Sequence, residues 1–211
     1  MMDIEKLRKE QSKYAQKVSL KDTFKKISSI AGAVQVFYGN KIVSGMSTCD
    51  SDGFSIREQH YSLGKVSLPY MSGLLFYREG PAILEAFSLL QQKPDILLVQ
   101  GNGILHPRRC GIASQIGIML DIPTIGIAKS LALGEVNNGT IYIEKEARGY
   151  EVMSRDHARP LYVSPGHHIS LQTSIEIIRK SLVYPHKLPE PLHLAARYAK
   201  KVKDALQLRQ G

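Results

Sequence analysis

The chain has 211 residues and carries 28 Lys and Arg against 19 Asp and Glu, a formal net charge of +9, with a pI near 9.5. That length supplies one substantial core, so a single domain over 1–211 is expected, and the charge favours a polyanionic partner, DNA or RNA. The two cysteines, Cys49 and Cys110, stand too far apart in sequence for a zinc motif or a disulfide framework, which points to a reduced compartment. The start, MMDIEKLRKEQ, has no apolar signal-peptide core, and no apolar run approaches the roughly 18 residues of a membrane span. A soluble, cytoplasmic protein, monomeric by default and without a membrane partner, is the expectation.

In chain order, residues 3–18 read as an amphipathic helix, with Ile4, Leu7, Tyr14 and Val18 near helical spacing. Three strands follow at 30–37, 42–48 and 54–66, separated by the turn signals Tyr38-Gly39-Asn40 and Asp50-Ser51-Asp52-Gly53, so an antiparallel meander is expected. After the loop 67–73, Gly80 to Gln91 reads as a helix with Pro81 in its first turn. A strand at 95–100, a helix near 110–121 and a strand at 123–128 make a β-α-β crossover. Shorter strands at 139–143, 151–153 and 161–163 and two helices, about 170–182 and 191–207, complete the reading. The fold class is α/β: a mixed sheet, part antiparallel and part parallel, flanked by helices, as in a ribonuclease H-like domain.

The segment Pro94 to Lys129 carries most of the chemical information. The apolar run Ile96 to Val99 reads as a buried strand, and it breaks at Gly101-Asn102-Gly103, where backbone can approach a ligand closely. His106, Arg108 and Arg109 follow, residue types suited to phosphate oxygens. Where a nuclease would place a metal-binding carboxylate at this strand end, the chain has Gln100.

These motifs resemble the endonuclease V family. The resemblance rests on Pro69-Tyr70-Met71-Ser72-Gly73 with Phe76-Tyr77-Arg78-Glu79, on Gly101-Asn102-Gly103 with His106 through Gly111, on Pro123 through Lys129, on Gly166-His167-His168-Ile169-Ser170 and on Leu188-Pro189-Glu190-Pro191. It covers about residues 3–203. It implies a ribonuclease H-like, metal-dependent nuclease that recognises deaminated purine, chiefly inosine, and cleaves a phosphodiester on its 3′ side. That chemistry needs several carboxylates, or carboxylates with a histidine, around Mg²⁺ or Mn²⁺, because a hard dication takes oxygen ligands and must polarise the phosphoryl group and activate water.

Carried over residue by residue, the metal site is mostly gone. Of its ligand positions only Glu79 keeps an acid, while Val34, Gln100 and Ala196 occupy the other three. Asp95 lies on the same strand as Gln100, but five residues away, about 16 Å. Asp121 precedes the next strand at its opposite end. His193, one helical turn before Ala196, is the near candidate for a shifted ligand, and Ala196 itself shares an inward stripe with Leu192 and Ala199.

The other parts persist. Pro69 to Gly73 resembles the family's wedge, with Tyr70 at its tip, Met71 beside it and Ser72 in place of a second proline. Gly101, Asn102, Gly103 and Gly111 resemble the pocket for an extruded base, with His106 at its side. Lys129 resembles a catalytic lysine near the scissile phosphate, and Arg108, Arg109 and His167 suit phosphate contact; for His106 and His167 a structural role is the competing reading. Three functions follow: a nucleic-acid-binding pseudoenzyme that holds no metal tightly, an active nuclease with a rearranged metal site, or a protein-interaction subunit.

Overall fold

The computed structural model describes residues 3–155 and 157–208. A meander of β1 (Ser29–Tyr38), β2 (Lys41–Asp50) and β3 (Ile56–Lys65) opens the sheet, as the turn signals require. β1 then pairs in parallel with β4 (Ile96–Gln100), and β4 in parallel with β5 (Thr124–Ala128). Beyond β5 the pairing turns antiparallel through β9 (Leu161–His167), β8 (Glu146–Val152), β7 (Thr140–Ile143) and β6 (Glu135–Asn137). The nine strands run in the order β3-β2-β1-β4-β5-β9-β8-β7-β6, the mixed sheet of a ribonuclease H-like fold.

Alternation along the central strands sorts their side chains onto two cores. Ile30, Val34, Ile96, Leu98, Ile125 and Ile127 face α4 (Leu171–Lys180) and α5 (Glu190–Leu208). Ala31, Ala33, Leu97 and Val99 face α2 (Leu75–Ser88) and α3 (Ile112–Leu120). Full burial of each Ile or Leu contributes about 1.5–3 kcal/mol, so these strands need no polar ornament to hold the sheet. α5 lies directly on the meander: a Cβ at Gly32 would stand 2.2 Å from the Pro191 carbonyl oxygen. Only glycine at that position lets helix backbone touch strand backbone.

The elements differ from the sequence reading in several places, with β8 beginning at Glu146 instead of 151 and β9 running on to His167 instead of ending at 163. α1 (Ile4–Ala15) stops short of Val18, and the residue it buries is Gln11 rather than an apolar one. α2 begins at Leu75, with Pro81 in its interior and Glu79 therefore on the helix instead of in a preceding loop. β6 is an edge strand whose three residues are all exposed, which is why no alternation marked it. No helix among the described residues is long and apolar enough to cross a membrane.

Candidate nucleic-acid site

At the C-terminal ends of β4 and β5 the chain opens a cavity of about 340 Å³. Parallel strands present their last residues and the following turns to this end of a sheet, so the site's residues come from several segments. Tyr70, Met71, Ser72 and Gly73 form one wall, Gln100, Gly101, Asn102 and Gly111 another, and Glu79, His106 and Lys129 complete it. Thus eleven of the residues singled out from sequence converge on one cavity. Gln11 lines it as well.

The glycine turn is the most constrained part. Gly101 has φ +138°, in the region that disfavours a side chain. A Cβ on Gly103 would stand 2.0 Å from the Pro165 carbonyl oxygen, so Gly103 is packed against β9 instead of facing the cavity, and its N–H donates to Ser164 Oγ at 2.9 Å. The Gly111 N–H donates to the Gly103 carbonyl and the Ala113 N–H to that of Asn102, which joins the turn to the start of α3. Asn102 Oδ1 is buried without a partner. A buried acceptor in this condition costs free energy until a donor arrives.

His106 and Arg108 have structural duties. The His106 ring accepts the Arg108 N–H at Nδ1, 3.1 Å away, and its Nε2–H donates to the Gly73 carbonyl at 3.1 Å. Burial, then the charge of Arg108, pushes the His106 pKa down to about 4, so the ring is neutral at physiological pH. Arg108 donates to the same Gly73 carbonyl at 2.9 Å and to Gln11 Oε1 at 2.6 Å, and the Gln11 amide donates to the Cys110 carbonyl at 2.6 Å. Two side chains from the basic loop therefore pin the foot of the Tyr70 wall, Arg108 acting as a clamp between Gly73 and Gln11. Arg109 is paired with Glu146 at 2.5 Å and stands outside the cavity lining. Pro69 is exposed beside Tyr70, whose own side chain is 70% exposed.

His167 is not brought to this site. It pairs with Thr124 at the start of β5, whereas the cavity lies beyond Ala128 at the other end of the strand. Its Nδ1 accepts the Ser19 N–H at 3.2 Å, and its neighbours are His168 and Asp121. Asp95 is remote too, for it accepts the Ser28 and Ser29 N–H groups at 2.8 and 2.9 Å beneath the start of β4.

The residues present do not fit a divalent metal. Parallel register places Ala33 beside Val99, and the next step along both strands sets Val34 beside Gln100. Val34 belongs to the apolar cluster under α4 and α5, and Ala196 packs against the same cluster, so hydrocarbon fills two of the ligand positions. Glu79 is 9% exposed, and burial, opposed by the Arg78 charge, raises its pKa to about 7. A lone carboxyl group half protonated at neutral pH is a poor ligand for Mg²⁺ or Mn²⁺. Among the described residues, the groups of acidic and histidine side chains close enough to share an ion are Asp121 with His167 and His168, and His186 with Glu190 and His193; Glu79 is in neither. His193 thus keeps company with His186, not with Glu79, and does not rescue the site.

Gln11, which lines the cavity, escaped the sequence reading. Gln11 falls in the stripe Ile4, Leu7, Gln11, Tyr14, a helical spacing that a polar side chain disguised. Asn102 was named with the glycines of the turn, and the structure adds the unpartnered oxygen of its side chain.

Known proteins resemble this chain throughout its length. Endonuclease V of Dictyoglomus thermophilum is 39% identical over 199 residues, covering 90% of this chain and 87% of the relative. The crystal structure of the Bacillus subtilis endonuclease V superposes with a TM-score of 0.90 at 28% identity, over 99% of this chain and 95% of that one. A Ciona intestinalis endonuclease V, crystallised with a 23-mer DNA containing an inosine followed by a ribo-adenosine, superposes with a TM-score of 0.88 at 26% identity, over 98% of this chain and 100% of that one. With the family model for Endonuclease V matching residues 12–197 as well, the chain belongs to the endonuclease V family.

Proposed function

We propose that this protein binds DNA or RNA through the cavity between the Tyr70 wall and the glycine turn, and that it has lost metal-dependent cleavage. The observation that carries the reading is a contrast: a cavity of about 340 Å³ and its clamp are present, while Val34, Gln100 and Ala196 leave Glu79 without a second acid. The inosine-containing DNA bound by the Ciona relative supports nucleic acid as the ligand class. An extruded purine would stack against Tyr70 and offer an N–H to the unpartnered Asn102 Oδ1. Lys129, exposed at the rim, would meet the flanking phosphate. A phosphate there would meet the Lys129 ammonium with no dication beside it, so binding is expected to be independent of chelators.

The test is incubation with inosine-containing single-stranded DNA and RNA in Mg²⁺ or Mn²⁺, alongside a Glu79→Ala control. Binding without cleavage is expected, unaffected by EDTA and weakening steeply with salt. Cleavage that disappears in the control would overturn the reading. Absence of binding to any nucleic acid at modest salt would turn attention to a protein partner.

Tyr70→Ala is expected to leave the fold intact, because the side chain is 70% exposed. Loss of one stacked base costs about 1–3 kcal/mol, or roughly 5- to 150-fold in affinity. Fluorescence anisotropy on a labelled inosine oligonucleotide measures it; unchanged affinity would remove Tyr70 from the site.

A further inference from the structure

The cluster of His186, Glu190 and His193 belongs neither to the cavity nor to the nuclease ligand set. Glu190 and His193 lie three residues apart on the first turn of α5 and so share a face, while His186 reaches them from the connection after α4. The three side chains present one ligand atom each within 4.8 Å of one another. His186 Nδ1 stands 2.6 Å from Glu190 Oε2, and the His186 and His193 rings stack with centroids 3.5 Å apart and planes 11° from parallel. Glu190 is at the helix N-terminus, where a carboxylate anion is favoured.

We propose that these residues form a binding site for a first-row transition-metal ion of the Zn²⁺ class. Two imidazoles and one carboxylate are the donor set that suits Zn²⁺ or its neighbours and discriminates against Mg²⁺, which prefers oxygen ligands alone. In the arrangement seen, a proton occupies the space between His186 and Glu190. A metal displaces that proton, and the stacked rings turn about their side-chain torsions until both lone pairs converge at about 2.1 Å from the ion. Water fills the remaining position. Arg197, one turn further along α5, and Lys187, beside His186, are the nearby cations; the carboxylate of Glu190 offsets them.

The other histidine cluster lacks this availability. The Ser19 N–H occupies Nδ1 of His167, which leaves the proton of the neutral ring on Nε2, the atom that faces Asp121. Occupancy of the His186 site would tie the connection after α4 to the turn of α5 whose Pro191 carbonyl rests on Gly32. It would therefore stabilise the fold, whether or not the protein binds nucleic acid.

The experiment uses the chelator-treated full chain titrated with Co²⁺, read by its visible absorption, and then with Zn²⁺ in competition. One equivalent per chain is expected, together with a higher melting temperature in Zn²⁺ and none in Mg²⁺. His186→Gln and His193→Gln are each expected to weaken binding by more than about tenfold, with melting in EDTA confirming that both variants fold, while His168→Gln leaves binding unchanged. Loss of the ion in His168→Gln with retention in His193→Gln would place it at the other cluster and overturn the assignment, as would the absence of any stoichiometric binding.

Discussion

Restoring carboxylates at the three emptied positions, with Val34→Asp, Gln100→Asp and Ala196→Asp together, is expected to create Mg²⁺-dependent cleavage of inosine-containing strands, on the order of a thousandfold above the wild type. The geometry favours it because β1 and β4 hold positions 34 and 100 side by side, α5 rests on β1 through Gly32, and Glu79 already lines the cavity. The cost falls on stability. Val34 is 4% exposed and Ala196 packs on the same apolar cluster, so each unpaired acid there costs about 3 kcal/mol or more. Two such losses approach the whole stability of a typical domain. The variant should therefore melt early in EDTA and recover in Mg²⁺, whereas the wild type shows no such dependence. A variant that folds in Mg²⁺ but cleaves nothing would mean that the substrate site has decayed along with the ligands.

The parts legible in the sequence were those fixed by local patterns. Alternation and the turns at Gly39 and Gly53 marked the meander, and the apolar run Ile96 to Val99 with Gly101 marked the strand end that carries the site. What escaped depends on contacts between distant segments. Arg108 and Arg109 look alike in sequence, yet one is held by Gly73 and Gln11 and the other by Glu146. The pair Gly80-Pro81 reads as a helix start because Pro is favoured there. In the fold, Gly80 lies under the Phe76 ring within a helix already begun, since a Cβ at Gly80 would stand 2.4 Å from that ring. His167 carries the same ambiguity: a histidine after a strand can meet a phosphate or close a backbone gap, and only the antiparallel register of β5 with β9 sends it to the end away from the cavity.

Glu79→Gln is expected to stabilise the protein at alkaline pH, the reverse of what a metal ligand would show. The folded state holds the Glu79 proton up to a pKa of about 7 against an ordinary value of 4.5, because burial disfavours the anion. Between those values the unfolded chain has released a proton that the native state still binds, so stability falls as pH rises from about 4.5 and levels off above about 7. A shift of this size corresponds to about 3 kcal/mol. Glutamine matches the protonated acid in shape and does not ionise, so the variant should equal the wild type near pH 5 and exceed it by up to that amount near pH 8.5 in urea denaturation. Oligonucleotide binding should follow the same sense, since an anionic Glu79 repels phosphate and a neutral one does not. Equal stability of the two proteins at both pH values would mean that Glu79 is solvated, and a loss of binding in the variant at pH 8.5 would mean that its charge still serves the site.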